Sequence, residues 1–275
     1  MIDIKAGDMV FAPKVINFPD GTFKINIETP EDIGNKITVR WLYNDETELV
    51  KLIYIAGNLG ERYSCPIELF MPYLPNARMD RVHEDSEVFT LKYFCRVINS
   101  LGFDKVKVLD VHSSVGAALI DRIEVISPEK YIRKALELEG FDSSRDMIFF
   151  PDEGSCKRYQ DMFKDFVNFS FGIKKRDWAT GKILGLELNG CDPEDKRVFI
   201  VDDICAYGGT VYYSAQELKK RGCKEITVFF SHCEDSIEKG KLFGCGMINR
   251  IYTTNSTCTL SQNEILKIFD ITGGE

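Results

Sequence analysis

The stretch Arg197–Thr210, RVFIVDDICAYGGT, constrains the fold more strongly than any other part of the sequence. An apolar run ends in two adjacent aspartates, Asp202 and Asp203, and a Gly-Gly-Thr turn then opens a helical pattern at Val211. A continuous apolar run of this kind is typical of a buried strand in a parallel sheet. Ligands of open parallel sheets bind outside the carboxyl ends of the strands. The stretch therefore predicts an α/β fold with a ligand site directly after this strand.

The composition of the turn indicates which ligand it binds. Gly208 and Gly209 allow the backbone to approach an anion, and the amides of residues 207–210 with the positive end of the following helix can bind a phosphate. Asp202 and Asp203 are placed to bind ribose hydroxyls or a metal. An isolated Gly-Gly-Thr would more simply be an ordinary turn after an acidic strand end. The apolar strand, the two aspartates and the helix together favour a functional site.

Strand-like runs alternate with helical patterns along the chain, as in parallel α/β proteins. A helix is predicted over Thr90–Leu101, because Leu91, Phe94, Cys95 and Ile98 fall on one helical face. Further strands are predicted at 22–27, 36–42, 65–73, 105–111, 146–151, 166–172, 197–202, 225–231 and 249–253, and further helices at 45–60, 128–139, 155–164 and 210–221.

Two domains, 1–127 and 128–275, are predicted, with a hinge in Ser127–Gly140. The helix at 128–139 is expected to be capped by Ser127, with Pro128 in its first turn. Residues 186–196 are the most loop-like part of the sequence. Each half is long enough for a parallel sheet flanked by helices.

The overall composition excludes several classes of protein. Among 275 residues with a net charge of −8, no apolar run reaches the ~18 residues of a membrane span, and the first residues lack the apolar core of a signal peptide. An acidic chain is a poor nonspecific binder of nucleic acid. Nine cysteines without a C-x-x-C pair predict free, mainly buried thiols. A soluble cytoplasmic protein with no membrane or nucleic-acid partner is expected.

The Arg197–Thr210 stretch resembles the ribose-phosphate loop of the phosphoribosyltransferase fold. Other stretches extend the resemblance, in the same order along the chain, to ribose-phosphate pyrophosphokinases, also called phosphoribosyl pyrophosphate (PRPP) synthetases. They are FPDGTFKINI (18–27), MPYLPNARMDR (71–81), VLDVHSSV (108–115), FFPDEGSCKR (149–158), FGIKKRD (171–177), FFSH (229–232) and YTTNST (252–257).

The resemblance implies two phosphoribosyltransferase-type domains, each a mainly parallel sheet flanked by helices. It implies a Mg²⁺-dependent enzyme that transfers a diphosphoryl group from ATP to the anomeric hydroxyl of ribose 5-phosphate, giving PRPP and AMP. The ATP side is expected in 1–127, and the ribose-phosphate loop and a flexible catalytic loop in 128–275.

The resemblance assigns ATP binding to Phe18, Asp20, Arg78 and Met79. Phe18 and Asp20 match a segment that reaches the adenine, commonly from a neighbouring subunit, which implies a homo-oligomer. Arg78 matches an arginine that binds ATP, although a surface pair with Asp80 is the simpler interpretation. Met79 stands where a glutamine is expected.

Catalytic and metal-binding roles fall on a second group of residues. His112 and Asp152 are expected to hold the magnesium–ATP complex, although a histidine after a strand is more often a satisfied core or capping residue. Lys174 is the expected catalytic lysine and Arg176 a substrate contact. Lys175 remains an alternative to Lys174, and a solvated basic loop is the simpler interpretation of all three.

The resemblance places the ribose and its 5-phosphate on a single turn, whose residues are Asp202, Asp203, Ala206, Tyr207, Gly208, Gly209 and Thr210. Ala206 stands where the family has an aspartate, and Tyr207 replaces a small hydroxyl residue. These departures suggest a wider acceptor pocket, with ADP-ribose as an alternative acceptor. A catalytically silent regulatory subunit and a base-transferring phosphoribosyltransferase are two further hypotheses for the function.

Overall fold

The computed structural model describes residues 1–30, 33–176 and 183–272, and for 174–176 and 183–186 it describes the backbone alone. The chain divides into two compact units, Met1–Ser127 and Pro128–Glu275. Each unit contains a mainly parallel sheet with helices, which confirms the predicted fold class.

The N-terminal unit holds a six-stranded sheet in the order β2-β1-β5-β6-β7-β8, with a separate hairpin of β3 and β4. Strands β5 to β8 are parallel, whereas β1 is antiparallel to both of its neighbours. The strands are β1 (Ile2–Ala6), β2 (Met9–Phe11), β3 (Lys14–Asn17), β4 (Phe23–Asn26), β5 (Ile37–Trp41), β6 (Ile67–Phe70), β7 (Lys105–Leu109) and β8 (Ile123–Ile126). The helices are α1 (Glu48–Arg62), α2 (Thr90–Ser100) and α3 (Ser114–Leu119).

Helical periodicity explains how this unit forms its core. In α2 the buried residues are Leu91, Phe94, Cys95 and Ile98, the face that the sequence predicts. They join the apolar face of α1 and the alternate buried residues of β5 in one core. Burying each large apolar side chain contributes roughly 1.5–3 kcal/mol.

The C-terminal unit holds a seven-stranded sheet in the order β11-β10-β9-β12-β13-β14-β15. All neighbours are parallel except β10 and β11. The strands are β9 (Met147–Phe150), β10 (Phe169–Arg176), β11 (Ile183–Gly190), β12 (Arg197–Cys205), β13 (Glu225–Cys233), β14 (Arg250–Thr254) and β15 (Leu266–Phe269). The helices are α4 (Glu129–Leu138), α5 (Glu153–Tyr159) and α6 (Gly209–Lys220), with 3₁₀ turns at Gln160–Phe163 and Asp235–Lys239.

Several local predictions are wrong. Pro128, not Ser127, is the N-cap of α4, and its carbonyl accepts the amides of Tyr131 and Ile132. Part of the predicted loop at 186–196 is strand, because β11 pairs with β10 up to Gly190. Strands β1, β2, β3, β8 and β15 and helix α3 lie outside every predicted element. All are short. Of the strands, β2, β8 and β15 lie at sheet edges, β3 lies in the separate hairpin, and β1 lies between β2 and β5.

The cysteines agree with the expectation of free, mainly buried thiols. All nine cysteines are free, and only Cys65, Cys191 and Cys245 are less than fully buried. Among the residues that the structure describes, no helix combines the length and the apolar character that crossing a membrane requires.

Glu139, at the end of α4, ties this helix to the sheet. Its carboxylate accepts a hydrogen bond from Tyr252 Oη at 2.7 Å and forms an ion pair with Arg250 Nε at 3.1 Å. Thr227 Oγ1 also donates to it at 3.3 Å. Burial, followed by the hydrogen bond to Glu139 and its charge, raises the pKa of Tyr252 to about 12.

We expect Tyr252→Phe to lower the free energy of unfolding by about 1–3 kcal/mol near neutral pH, because Glu139 loses a donor. Tyrosine has a pKa of about 10 in an unfolded chain, so this contribution is complete below about pH 10 and is lost as the pH rises towards 12. Urea unfolding from neutral to alkaline pH tests both points. The exposed Tyr93→Phe is the control, and a deficit that does not shrink at alkaline pH would contradict the assignment.

Candidate active site

Two buried carboxylates lie near the end of β12, which continues to Cys205 and not, as predicted, only to Asp202. Asp202 and Asp203 are both less than a tenth exposed, because parallel strands flank β12 on each side. Asp203 forms an ion pair with Arg158 of α5, whose guanidinium also lies over the ring of Tyr159 at 5.6 Å. The charge of Asp203 is therefore balanced by the helix that follows the neighbouring strand β9.

A serine hydroxyl lies between Asp202 and Asp152. Asp152 is the N-cap of α5, and its Oδ1 accepts the backbone amide of Ser155 at 3.0 Å. Ser155 Oγ lies 2.7 Å from Asp202 Oδ1 and 3.2 Å from Asp152 Oδ1. The structure thus brings together a predicted metal ligand and a predicted ribose ligand.

The environment of Asp202 disfavours its charged form. Burial is the main cause that raises the pKa of this carboxyl, and the charges of Asp203 and Asp152 raise it further. The hydrogen bond from Ser155 acts in the opposite direction. A cation, or hydroxyl donors from a ligand, would stabilise the ionised form.

The turn after β12 is a tight left-handed connection to α6. Gly208 has φ +73° and is the N-cap of the helix, and its carbonyl accepts the amide of Tyr212. A Cβ at Gly208 would lie 2.3 Å from Leu242 Cδ1, whereas Gly209 has open space around it. Tyr207 is 59% exposed. Ala206 and Thr210 are half-buried.

The basic cluster lies in a strand and not in a loop. Lys174, Lys175 and Arg176 form the end of β10, where Lys174 pairs with Leu186 of β11. The prediction of a loop at these three residues is wrong, because pairing with β11 continues through them, with a register shift between Lys175 and Arg176. Their side chains, and residues 177–182, lie outside the described part of the chain.

In the N-terminal unit, the predicted site residue His112 follows β7. His112 is half-buried and lies close enough to Asp80 for its charge to favour the ionised carboxyl. Burial would raise the pKa of Asp80, but the neighbouring Ser113 and the guanidinium of Arg81 outweigh it and hold the pKa below its usual value. The Arg81–Asp80 ion pair measures 3.1 Å.

The residues predicted to bind ATP lie on two turns of the same unit. Arg78 is exposed and Met79 is half-buried, in the turn where the Met79 amide donates to the Asn76 carbonyl. Phe18 and Asp20 lie at the tip of the β3–β4 hairpin, and Phe18 is 46% exposed. Asp20 Oδ1 accepts both the amide and the hydroxyl of Thr22, which lowers the pKa of Asp20.

Comparison with known proteins agrees with this geometry. Residues 134–242 match the phosphoribosyl transferase domain. The ribose-phosphate pyrophosphokinase of Aeropyrum pernix is 28% identical over 229 residues, which cover 82% of this chain and 72% of the relative. Ribose-phosphate pyrophosphokinase 2 of Archaeoglobus fulgidus is 26% identical over 269 residues, covering 96% and 90%. The chain is similar to ribose-phosphate pyrophosphokinases over most of its length.

A solved structure shows the same fold. The phosphoribosylpyrophosphate synthetase of Mycobacterium smegmatis superposes with a TM-score of 0.76 at 16% identity, over 95% of this chain and 86% of that one. The predicted similarity to ribose-phosphate pyrophosphokinases, and with it the prediction of an enzyme of the diphosphotransferase class, is confirmed.

Sequence reasoning missed Ser155 and Arg158 as members of this site. Both lie in the stretch FFPDEGSCKR, in which the sequence points to Asp152 alone. Their spacing carried a signal, because positions three and six residues after a helix N-cap lie on one face of the helix. Only the tertiary structure shows that this face of α5 contacts β12.

We expect Gly208→Ala to destabilise the protein by about 2–4 kcal/mol, from left-handed strain and displacement of Leu242. Gly209→Ala is the matched control and should change the free energy of unfolding by less than about 1 kcal/mol. Urea unfolding of the two variants compares them directly. Equal stabilities would contradict the left-handed turn at Gly208.

Proposed function

We propose that the chain transfers a diphosphoryl group from ATP to the anomeric hydroxyl of ribose 5-phosphate, producing PRPP and AMP. The observation that carries the proposal is the end of β12, where two buried aspartates precede a left-handed glycine turn and a helix. Similarity to ribose-phosphate pyrophosphokinases over most of the chain supports the same reaction.

The acceptor is assigned to this end of β12. Carboxylates accept hydrogen bonds from ribose hydroxyls, and we assign Asp202 and Asp203 to that role. The amides of residues 207–210, at the start of α6, would bind the 5-phosphate, because a helix N-terminus favours negative charge. Alignment of the acceptor hydroxyl with ATP is the main demand of phosphoryl transfer.

Asp152 fits a role in holding Mg²⁺. In the described residues 1–30, 33–176 and 183–272, no group of three or more His, Cys, Asp or Glu side chains is arranged to hold a metal. This agrees with Mg²⁺, which proteins usually bind through one or two carboxylates together with substrate phosphates and water. His112 is an unusual ligand for Mg²⁺, so Asp152 would supply most of the attraction. Bound Mg²⁺ would neutralise charge on the ATP polyphosphate.

We assign ATP to Phe18, Asp20, Arg78 and Met79. The exposed Phe18 at a hairpin tip suits contact with a ligand or a neighbouring subunit, and we therefore propose a homo-oligomer. The exposed guanidinium of Arg78 suits phosphate oxygens. We place the protein in the cytoplasm, where free thiols such as its nine persist.

Lys174 and Arg176 would supply cations to the transferred diphosphate. We expect Lys174→Ala to lower kcat by roughly 10²-fold or more with little change in ATP binding, since charge stabilisation acts in the transition state. Lys175→Ala is the matched control, because it removes the adjacent lysine of the same basic cluster, which is the alternative assignment. Steady-state kinetics on both variants distinguishes the two lysines. An activity of Lys174→Ala within about threefold of wild type would remove Lys174 from the mechanism.

ADP-ribose is the alternative acceptor, and one feature favours it. Ala206 contributes no carboxylate beside the turn, and the exposed Tyr207 next to it offers a ring for stacking. A ribose with a larger 5′ substituent keeps its anomeric hydroxyl and would occupy this wider space.

We expect Ala206→Asp to shift the ratio of kcat/KM towards ribose 5-phosphate, because the larger side chain would occupy the space that the 5′ substituent of ADP-ribose needs. Competition between the two acceptors measures the shift, and the isosteric Ala206→Asn separates the effect of side-chain size from that of charge. No change in the ratio would argue against Ala206 as a determinant of the acceptor.

AMP release from ATP and Mg²⁺ is the primary test, with ribose 5-phosphate and ADP-ribose offered in parallel and the products weighed by mass spectrometry. Pyrophosphorylated ribose 5-phosphate supports PRPP synthesis, and pyrophosphorylated ADP-ribose supports the second acceptor. Absence of AMP with both acceptors would indicate a silent subunit. Consumption of PRPP and a base without ATP would indicate a base-transferring enzyme.

A further inference from the structure

The position of Ser155 gives this residue a function beyond helix capping. Asp152 follows β9 and Asp202 lies in β12, and these strands are parallel neighbours that pair Phe149 with Ile200. Ser155 is buried, and its Oγ reaches the Oδ1 atoms of both carboxyl groups, at 2.7 Å for Asp202 and 3.2 Å for Asp152.

A serine hydroxyl carries one proton and donates one hydrogen bond at a time. The shorter contact assigns that donation to Asp202. Asp152 receives its own donor from the backbone amide of Ser155. The hydroxyl is therefore the side-chain donor of Asp202, whereas Asp203 has the guanidinium of Arg158.

The hydrogen bonds of Asp202 determine which of its oxygens faces a ligand. Ser155 Oγ and the amide of Asp203 both donate to Oδ1, the latter at 3.1 Å. Two donors on one oxygen fix the rotation of the carboxyl group and direct Oδ2 away from them. Without the hydroxyl, repulsion by the neighbouring carboxylates would favour a different rotation.

We propose that Ser155 is a positioning residue that orients Asp202 so that its Oδ2 binds the hydroxyls of the ribose acceptor. The inference rests on the proposed function, since it takes the ribose as the ligand of Asp202. Ser155 touches no substrate in this scheme and acts through Asp202.

Ser155→Ala isolates the hydroxyl. The backbone amide that caps α5 through Asp152 is retained in this variant, so the start of the helix keeps its capping bond. Ser170→Ala is the matched control, because Ser170 is equally buried and its hydroxyl donates to a main-chain carbonyl, that of Asn189.

Isothermal titration calorimetry with ribose 5-phosphate and with ADP-ribose, without ATP or metal, measures acceptor binding apart from turnover. We expect Ser155→Ala to weaken binding about 10-fold or more, as for loss of a hydrogen bond to a carboxylate. Ser170→Ala should bind like wild type. Kinetics should show a higher KM for the acceptor, with kcat and the KM for ATP changed less.

A double-mutant cycle with Asp202→Asn tests whether Ser155 acts through Asp202. In the Asp202→Asn background, Ser155→Ala should cause less than about a twofold further loss of binding. Effects that multiply would show an independent role and overturn the inference. If Ser155→Ala does not fold, the isosteric pair Ser155→Thr and Ser155→Val replaces it, and binding is expected only with threonine.

The outcomes separate the two proposals. If the wild type binds and converts an acceptor and Ser155→Ala binds it equally well, the role of Ser155 is overturned and the proposed function is not. If the wild type binds an acceptor but forms no AMP, the proposed function is overturned. The double-mutant cycle with Asp202→Asn then still tests the role of Ser155. Wild type that binds neither acceptor overturns both.

Discussion

Burial of β12 on both faces is the constraint on which the C-terminal unit depends. A strand in the middle of a parallel sheet carries its side chains into the protein, and near the end of this strand two of them are carboxylates. Buried charges are costly unless they are paired or hydrogen-bonded. Helix α5 meets this requirement, with Arg158 for Asp203 and Ser155 for Asp202. The contacts that pack α5 against the sheet are therefore the same contacts that stabilise the two carboxylates of this strand.

The sequence predicts the fold best where a single physical pattern dominates. The apolar run of β12 and the apolar face of α2 follow directly from periodicity, and both are correct. The short strand β1 depends on pairing with the distant strand β5, which local sequence does not encode. Ser127 illustrates a further limit, because either of two adjacent residues can precede a helix and the backbone geometry selects Pro128.

The residues of the candidate site also fall into two groups, those that the sequence predicts and those that depend on tertiary structure. Residues near the carboxyl end of a strand or shortly after it, such as Asp202 and Asp152, could be predicted, since the carboxyl ends of parallel strands share one edge of a sheet. Lateral contacts such as that of Ser155 with Asp202 depend on the register between β9 and β12, which is tertiary information. The strand conformation of Lys174 was equally hidden, because its pairing partner in β11 lies in a stretch of sequence with loop-like composition.

The tip of the β3–β4 hairpin has a consequence for association. Its shape is held by bonds within five residues, from Phe18 to Thr22, with Asp20 accepting two of them. A turn that is preorganised in this way has already lost its conformational freedom in the free protein. A surface that receives Phe18 therefore gains the burial of an aromatic ring without the entropy loss of ordering a loop. The tip is therefore preorganised, and its affinity for any surface that receives it would be set mainly by the shape of that surface.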